Sequence, residues 1–216
     1  MKTNLIILSL LATSLLGCNQ NNPQSASVKL DSTNIKIEQL KTLEKIKDQR
    51  KVIGDIEFGI NKMSFTRSKN KFLKASHPNE YKTQYSLGNY IFSTIEGEFN
   101  ESKLYKVVIS GSYIHYDAYN SELISQVEAL KLILQKKYGE PTSGDGAPQW
   151  HKTDKHYSYL AYEWVVGLKS IQMRVCNRGL YFTLDIHIFQ PEVVSSIEEK
   201  DNMDRSKKAD QAKDAF

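Results

Sequence analysis

Cysteine is nearly missing from this chain: among 216 residues there are two, Cys18 and Cys176. Proline is scarce too, with five, and tryptophan occurs twice. So little cysteine excludes a disulfide-stapled scaffold and a thiolate metal module, because both need cysteines in closely spaced sets. No G-x-S-x-G is present, so no hydrolase elbow is indicated. "SGDG" at 143–146 runs into Ala147-Pro148 and lacks the Gly-Lys-Ser/Thr of a phosphate loop. The carboxylates are scattered, and no fixed-period repeat is visible. Formal net charge is +4, too small to imply nucleic-acid binding.

What is present begins with the first eighteen residues. Lys2 is the only charge before Cys18, and Leu5–Leu16 is apolar apart from Ser9, Thr13 and Ser14. That matches the roughly 7–15 apolar residues of a signal-peptide core. It is too short for the about 20 residues of a membrane-spanning helix. The run stops at Leu15-Leu16-Gly17-Cys18 and the chain turns abruptly polar, NQNNPQSAS. This ending resembles the lipobox of bacterial lipoproteins. The resemblance implies cleavage of the Gly17–Cys18 bond and lipidation of Cys18. It implies a membrane partner reached through that lipid, with Asn19 favouring an outer-membrane address facing the periplasm. Each buried CH₂ contributes about 0.8 kcal/mol, and stable anchoring takes more than one acyl chain.

Without residues 1–17 the net charge is +3, and it is unevenly spread. Lys29–Lys82 carries 13 basic against 7 acidic residues. A basic segment next to a lipid anchor can lie against anionic head groups, each cation adding about 1 kcal/mol. With Cys18 lipidated, Cys176 has no disulfide partner, and the domain must rest on its apolar core. A chain of this length buries about two thirds of its unfolded surface, which suffices for one domain.

Residues 18–33 read as a polar tether. Residues 34–54 hold an amphipathic helix through Ile37, Leu40, Leu43 and Ile46, with a lysine-rich polar face. A single α+β domain follows over 55–190. Ser64 can cap a short helix whose apolar points are Phe65, Phe72 and Leu73. Tyr85–Phe99 reads as one strand, with Tyr90, Phe92 and Thr94 on one side and Ile91, Ser93 and Ile95 on the other. "NESK" at 100–103 turns it into a second strand bearing Tyr105, Val107 and Ile109. Over 121–138 Leu123, Val127, Leu130 and Leu134 form one stripe of a long helix. Asn120 or Ser121 is the expected cap, Lys136 and Lys137 suit its end, and Gly139 then Pro141 close it. Three strands follow. Leu160, Tyr162 and Trp164 face one way in the first; Ile171, Met173 and Val175 in the second. Leu180, Phe182, Leu184, Ile186 and Ile188 do so in the third, with a turn at "CNRG" between the last two. The order α-β-β-α-β-β-β predicts a two-layer fold: an antiparallel sheet of about five strands with one long and one short helix packed on it. It loosely resembles two helix-plus-hairpin units, as in small periplasmic inhibitor or assembly lipoproteins. Residues 191–216 form a polar charged tail, at most a marginal helix.

Little chemistry stands out. His151, Asp154 and His156 in "HKTDKH" lack the i, i+4 spacing that puts two ligands on one helix face, so no metal is expected. His115 and Asp117 could act as a base with its carboxylate, but no nucleophile is identified. Cys176, in a turn, reads as a tolerated small residue. Nothing calls for a cofactor. The remaining feature is aromatic: Tyr113, Tyr116 and Tyr119 in "SYIHYDAYN", out of twelve tyrosines. Tyrosine gives large contact area at low entropic cost, so these three are the candidate binding surface, for an envelope protein or a glycan. The sequence points to a lipid-anchored, non-enzymatic binding, inhibitory or assembly module. The alternatives are a lipid-tethered periplasmic hydrolase with a dispersed site, or a periplasmic immunity-type protein.

Overall fold

Alternation in Tyr181–Phe189 sets the centre of the sheet: Phe182, Leu184, Ile186 and Ile188 are at most 5% exposed and all face one side. A computed structural model describes residues 49–76 and 85–213. Its strands are β1 (Lys51–Ile53), β2 (Ile56–Glu57), β3 (Tyr85–Leu87), β4 (Tyr90–Asn100), β5 (Lys103–Gly111), β6 (Ile114–His115), β7 (Ser158–Val166), β8 (Lys169–Asn177) and β9 (Tyr181–Phe189). Its helices are α1 (Lys62–Ser76), α2 (Ile124–Tyr138) and α3 (Pro191–Lys213). The main sheet is antiparallel in the order β3-β4-β5-β9-β8-β7, with β6 added to β9, and β1–β2 is a separate hairpin. The fold is therefore α+β, as the element order predicts. Each of α1 and α2 leads into a three-stranded meander, and the last strands of the two meanders, β5 and β9, pair at the centre.

The sheet has seven strands where about five are expected, for local reasons. Gly88 at φ +61° and Asn89 form a two-residue turn that folds Tyr85–Phe99 into β3 and β4. Bulges then reset the alternation. One between Phe92 and Thr94 moves Ile95, 2% exposed, to the buried side with Tyr90 and Phe92, and leaves Thr94 outside. Another between Leu160 and Tyr162 brings Ala161, Tyr162 and Trp164 into the core together. The 100–103 turn is as expected, with Glu101 and Ser102 both at positive φ.

The stripe on α2 packs as predicted: Leu123, Val127 and Leu130 are buried, with Leu134 partly so. Its start differs. Neither Asn120 nor Ser121 caps it; a 3₁₀ turn at Tyr116–Ala118 and a π turn at Tyr119–Leu123 feed straight into the helix. The Ser121 hydroxyl donates back to Ala118 O instead. At the other end Gly139 has φ +85°, as a helix stop requires. Its ψ of −164° lies outside the left-handed helical well. The indole of Trp164 donates to Gly139 O at 2.9 Å, which pins the end of α2 to the sheet. In α1 the cap is Asn61, whose Oδ1 accepts the Ser64 N–H at 2.9 Å, rather than Ser64 itself. Phe65 is buried on Phe99, and Phe72 and Leu73 pack at the core's edge.

The helix expected over 34–54 lies outside the described residues up to 48. Gln49 and Arg50 are helical, but Lys51–Ile53 is already strand, so no helix reaches residue 54. Pro191–Lys213 is helical with no buried residue. Proline suits a first helical position, and Glu192 in the first turn and Lys213 in the last suit the helix dipole.

Candidate functional site

The pairing of β6 with β9 determines which aromatic rings face water. Ile114 lies opposite Phe182 and His115 opposite Tyr181. Ile114 and Phe182 point into the core, at 1% and 3% exposure. Side chains alternate along a strand, so Tyr113, His115 and Tyr181 point outward. Tyr113 and Tyr181 meet edge to face with centroids 5.8 Å apart. Tyr181 meets His115 at 5.6 Å, and His115 meets Tyr116 at 4.5 Å. Four rings thus form one row, with Tyr113 72%, Tyr116 48% and Tyr181 42% exposed.

Tyr119 does not belong to this surface. It is 2% exposed, packs edge-on against Phe182 at 4.7 Å, and donates its hydroxyl to Pro148 O at 2.5 Å. Burial pushes its phenol up to about 12. Tyr181 takes the third place. Leu180, expected at the head of the buried set of β9, lies instead in the turn, 64% exposed, with its carbonyl accepting from the Tyr116 N–H. The available signal was parity: Tyr181 alternates with the apolar set of β9.

The turn after β8 joins this row to a second aromatic segment. Asn177, 7% exposed, accepts from the His156 N–H at 2.8 Å and donates its own N–H to Tyr157 O at 2.9 Å. Its side-chain amide donates to Thr153 Oγ1 at 3.0 Å. Next to it the Lys155 side chain lies against Gly179. Trp150 and Tyr157, 53% and 65% exposed, flank this loop. Among the described residues, every strongly exposed Tyr or Trp side chain lies at this one end of the sheet: Tyr113, Tyr116, Trp150, Tyr157 and Tyr181.

The candidate chemical groups are placed as follows. His115 Nδ1 is 3.2 Å from Asp117 Oδ2, so the two do meet, on an open surface with side chains 45% and 69% exposed. The rings beside His115 are Tyr116 and Tyr181, themselves 48% and 42% exposed. His151 lies in a 3₁₀ turn and His156 stands at φ +70°. Among the described residues no three His, Cys, Asp or Glu side chains converge on a metal position. Cys176 is buried, its S–H set between Ser158 Oγ at 3.2 Å and Asp185 Oδ2 at 3.4 Å. Burial, then the Asp185 charge, pushes its thiol up, which suppresses the reactive thiolate. Cys18 lies outside the described residues.

The sheet face opposite the helices carries a connected polar network. The Glu163 carboxylate accepts from Ser170 at 2.6 Å, Gln172 at 2.9 Å and Ser143 at 3.1 Å. Burial pushes its carboxyl up, but these bonds outweigh burial and hold it below the usual range. Arg174 bonds Gln172 Oε1 and Ser158. Asp185, 2% exposed, accepts from Arg178 and from the Gly111 N–H, each at 3.2 Å. Two acids and two arginines balance, so the network satisfies itself. One depression of about 260 Å³ is lined by Arg50, Phe58, Leu168 and Gln190, and another lies along α1 at Met63, Arg67 and Asn70. Neither is lined by a carboxylate, histidine, serine or cysteine. No described helix is long and apolar enough to cross a membrane.

The arrangement can present rings, hydroxyls and cations to a partner; it does not gather a nucleophile, base and oxyanion donors around one point. Compared with known proteins, the chain matches no family model, no curated protein and no solved structure.

Proposed function

We propose that this chain is a lipid-anchored protein of the bacterial cell envelope, held through Cys18 at the outer membrane facing the periplasm. Its α+β domain serves as a non-enzymatic binding, inhibitory or assembly module. The address is supported by the apolar leader that ends in "LLGC" and the polar tether after it. The binding role is carried by one observation, the row of exposed rings Tyr113–Tyr181–His115–Tyr116 at the end of the sheet. Exposed aromatic groups clustered at one place mark recognition surfaces.

A tethered hydrolase has a single point in its favour, the contact between His115 and Asp117. It comes second because, among the described residues, the pair stands on an open surface with side chains 45% and 69% exposed. Mass spectrometry of the protein purified from its native membrane tests the address. The expected result is an N-terminal peptide beginning at Cys18 that carries a thioether-linked diacylglyceryl group. A free thiol there, or a retained leader, refutes it.

A further inference from the structure

We infer that the ring row is a binding site for a carboxylate-bearing glycan strand. The inference rests on the binding role proposed above and names the partner's chemistry. Successive rings touch in the order Tyr113–Tyr181–His115–Tyr116, with centroids 4.5 to 5.8 Å apart. That spacing is comparable to the length of one pyranose unit, so a linear polymer of sugar rings can lie along it. The polarised C–H bonds on a sugar's flat face meet the negative face of an aromatic ring. Tyrosine hydroxyls and the His115–Asp117 pair at the margins supply donors and acceptors for equatorial hydroxyls. The row combines three tyrosine hydroxyls and an imidazole with its ring faces, which fits an amphipathic ligand better than an apolar helix or strand.

The unmatched charge sets the sign of the ligand. Arg178 is committed to buried Asp185, and Asp117 to His115. Lys152 and Lys155 form no ion pair among the described residues, while the only acid between them is Asp154. Lys155 lies over Gly179, next to Leu180 and Tyr181. A cation beside a stacking row fits a sugar polymer with a carboxylate at regular intervals.

The test uses the mature chain from residue 18 with Cys18→Ser, titrated calorimetrically with peptidoglycan glycan strands freed of their peptides. Those strands alternate N-acetylglucosamine with its lactyl ether, one carboxylate per disaccharide; chitohexaose is the uncharged comparison. The expected result is binding to the lactyl-bearing strand that weakens about three- to tenfold with Tyr113→Ala or Tyr181→Ala and returns with Tyr181→Phe. Lys155→Ala is expected to weaken it about threefold and to remove the preference over chitohexaose. Circular dichroism confirms that each variant is folded. No binding to either glycan, or equal binding to both with Lys155→Ala silent, overturns the inference. So does binding to anionic phospholipid vesicles alone that is lost in the same variants. Capture of an envelope component by the wild-type chain but not by Tyr113→Ala/Tyr181→Ala, without glycan binding, overturns the glycan and leaves the binding role standing. Loss of neither overturns both.

Discussion

The two halves of the sheet share one plan and use it differently. In the first, α1 leads to β3, β4 and β5; in the second, α2 leads to β7, β8 and β9. The first half is economical. Its outer strand has three residues, and β4 passes to β5 through a two-residue turn at Glu101–Ser102. On its open face Glu98 meets Lys106 at 2.7 Å and accepts the Tyr105 hydroxyl at 2.9 Å. The second half has nine-residue strands throughout and a long connection before β7. That connection covers the β7 edge through Thr142, Ser143 and Gly146, then places Trp150, Lys155 and Tyr157 beside the ring row. The sheet provides the rigid base, and the connections of one half carry the surface that can recognise a partner.

The comparison can be broken by mutation, and the largest effect is expected in the core. Trp164→Ala removes a side chain 1% exposed together with its bond to Gly139 O. It is expected to cost about 3–5 kcal/mol of unfolding free energy. Leu73→Ala, at the margin of the first half's core, should cost clearly less. Urea denaturation of both variants measures the gap; equal losses contradict the view that the second half holds the main core.

Next come the two acid–base contacts on the open face. Asp185→Ala leaves the buried Gly111 N–H without its acceptor and removes the ion pair with half-exposed Arg178, at a cost of about 1–3 kcal/mol. Glu98→Ala, its counterpart in the first half, is 44% exposed at the side chain and should cost below about 1 kcal/mol. If the two variants melt together, the network in the second half is not cooperative.

A smaller effect appears in acid. β5 and β9 pair with Val108 opposite His187, so only the second half places an ionisable group at this central position. Burial, then Lys106, pushes the His187 imidazole down to about 4 against the upward pull of Asp185, with smaller effects of Arg174 downward and Glu98 upward. The unfolded chain holds its proton up to about 6.5. Between those values the unfolded state binds more protons, so stability is full above about pH 6.5 and falls as pH drops toward 4. Allowing for partial solvent screening, the loss is on the order of 2 kcal/mol. His187→Gln should flatten this slope in pH-dependent denaturation. Glu98 and Glu163, both held below the usual carboxylate range, add their loss only at lower pH. A slope unchanged in His187→Gln would assign the acid sensitivity elsewhere.

The smallest expected contrast separates two tyrosines of one motif. Tyr119→Phe forfeits the bond to Pro148 O and should cost about 1 kcal/mol. Tyr116→Phe, on the exposed row, should leave thermal stability unchanged.

That contrast shows where the sequence is readable. The α2 stripe from Leu123 to Leu134 and the alternation of Phe182 to Ile188 are local patterns with one period each, and both form as expected. Bulges are not local patterns: nothing near Phe92 or Leu160 announces that the alternation will slip. The spacing of Tyr113, Tyr116 and Tyr119 looks uniform, but the chain changes from strand to 3₁₀ to π turn across it. Equal spacing therefore does not mean a shared face. Tyr181 joins the site only because β6 pairs with β9, a contact between distant segments. Cys18 follows the apolar run Leu5–Leu16, and the lipidation proposed for it is tested by the mass measurement above.

The central claim is that recognition is confined to the ring row where β6 meets β9. Its most direct measurement is capture from envelope extracts by the mature Cys18→Ser chain, run beside Tyr113→Ala/Tyr181→Ala and the control Met63→Ala. Met63 is a 75% exposed residue on α1 in the first half. Loss of the captured partner in the tyrosine variant alone, with both variants folded, is the predicted result. Capture that survives the tyrosine variant, or falls equally with Met63→Ala, contradicts the account.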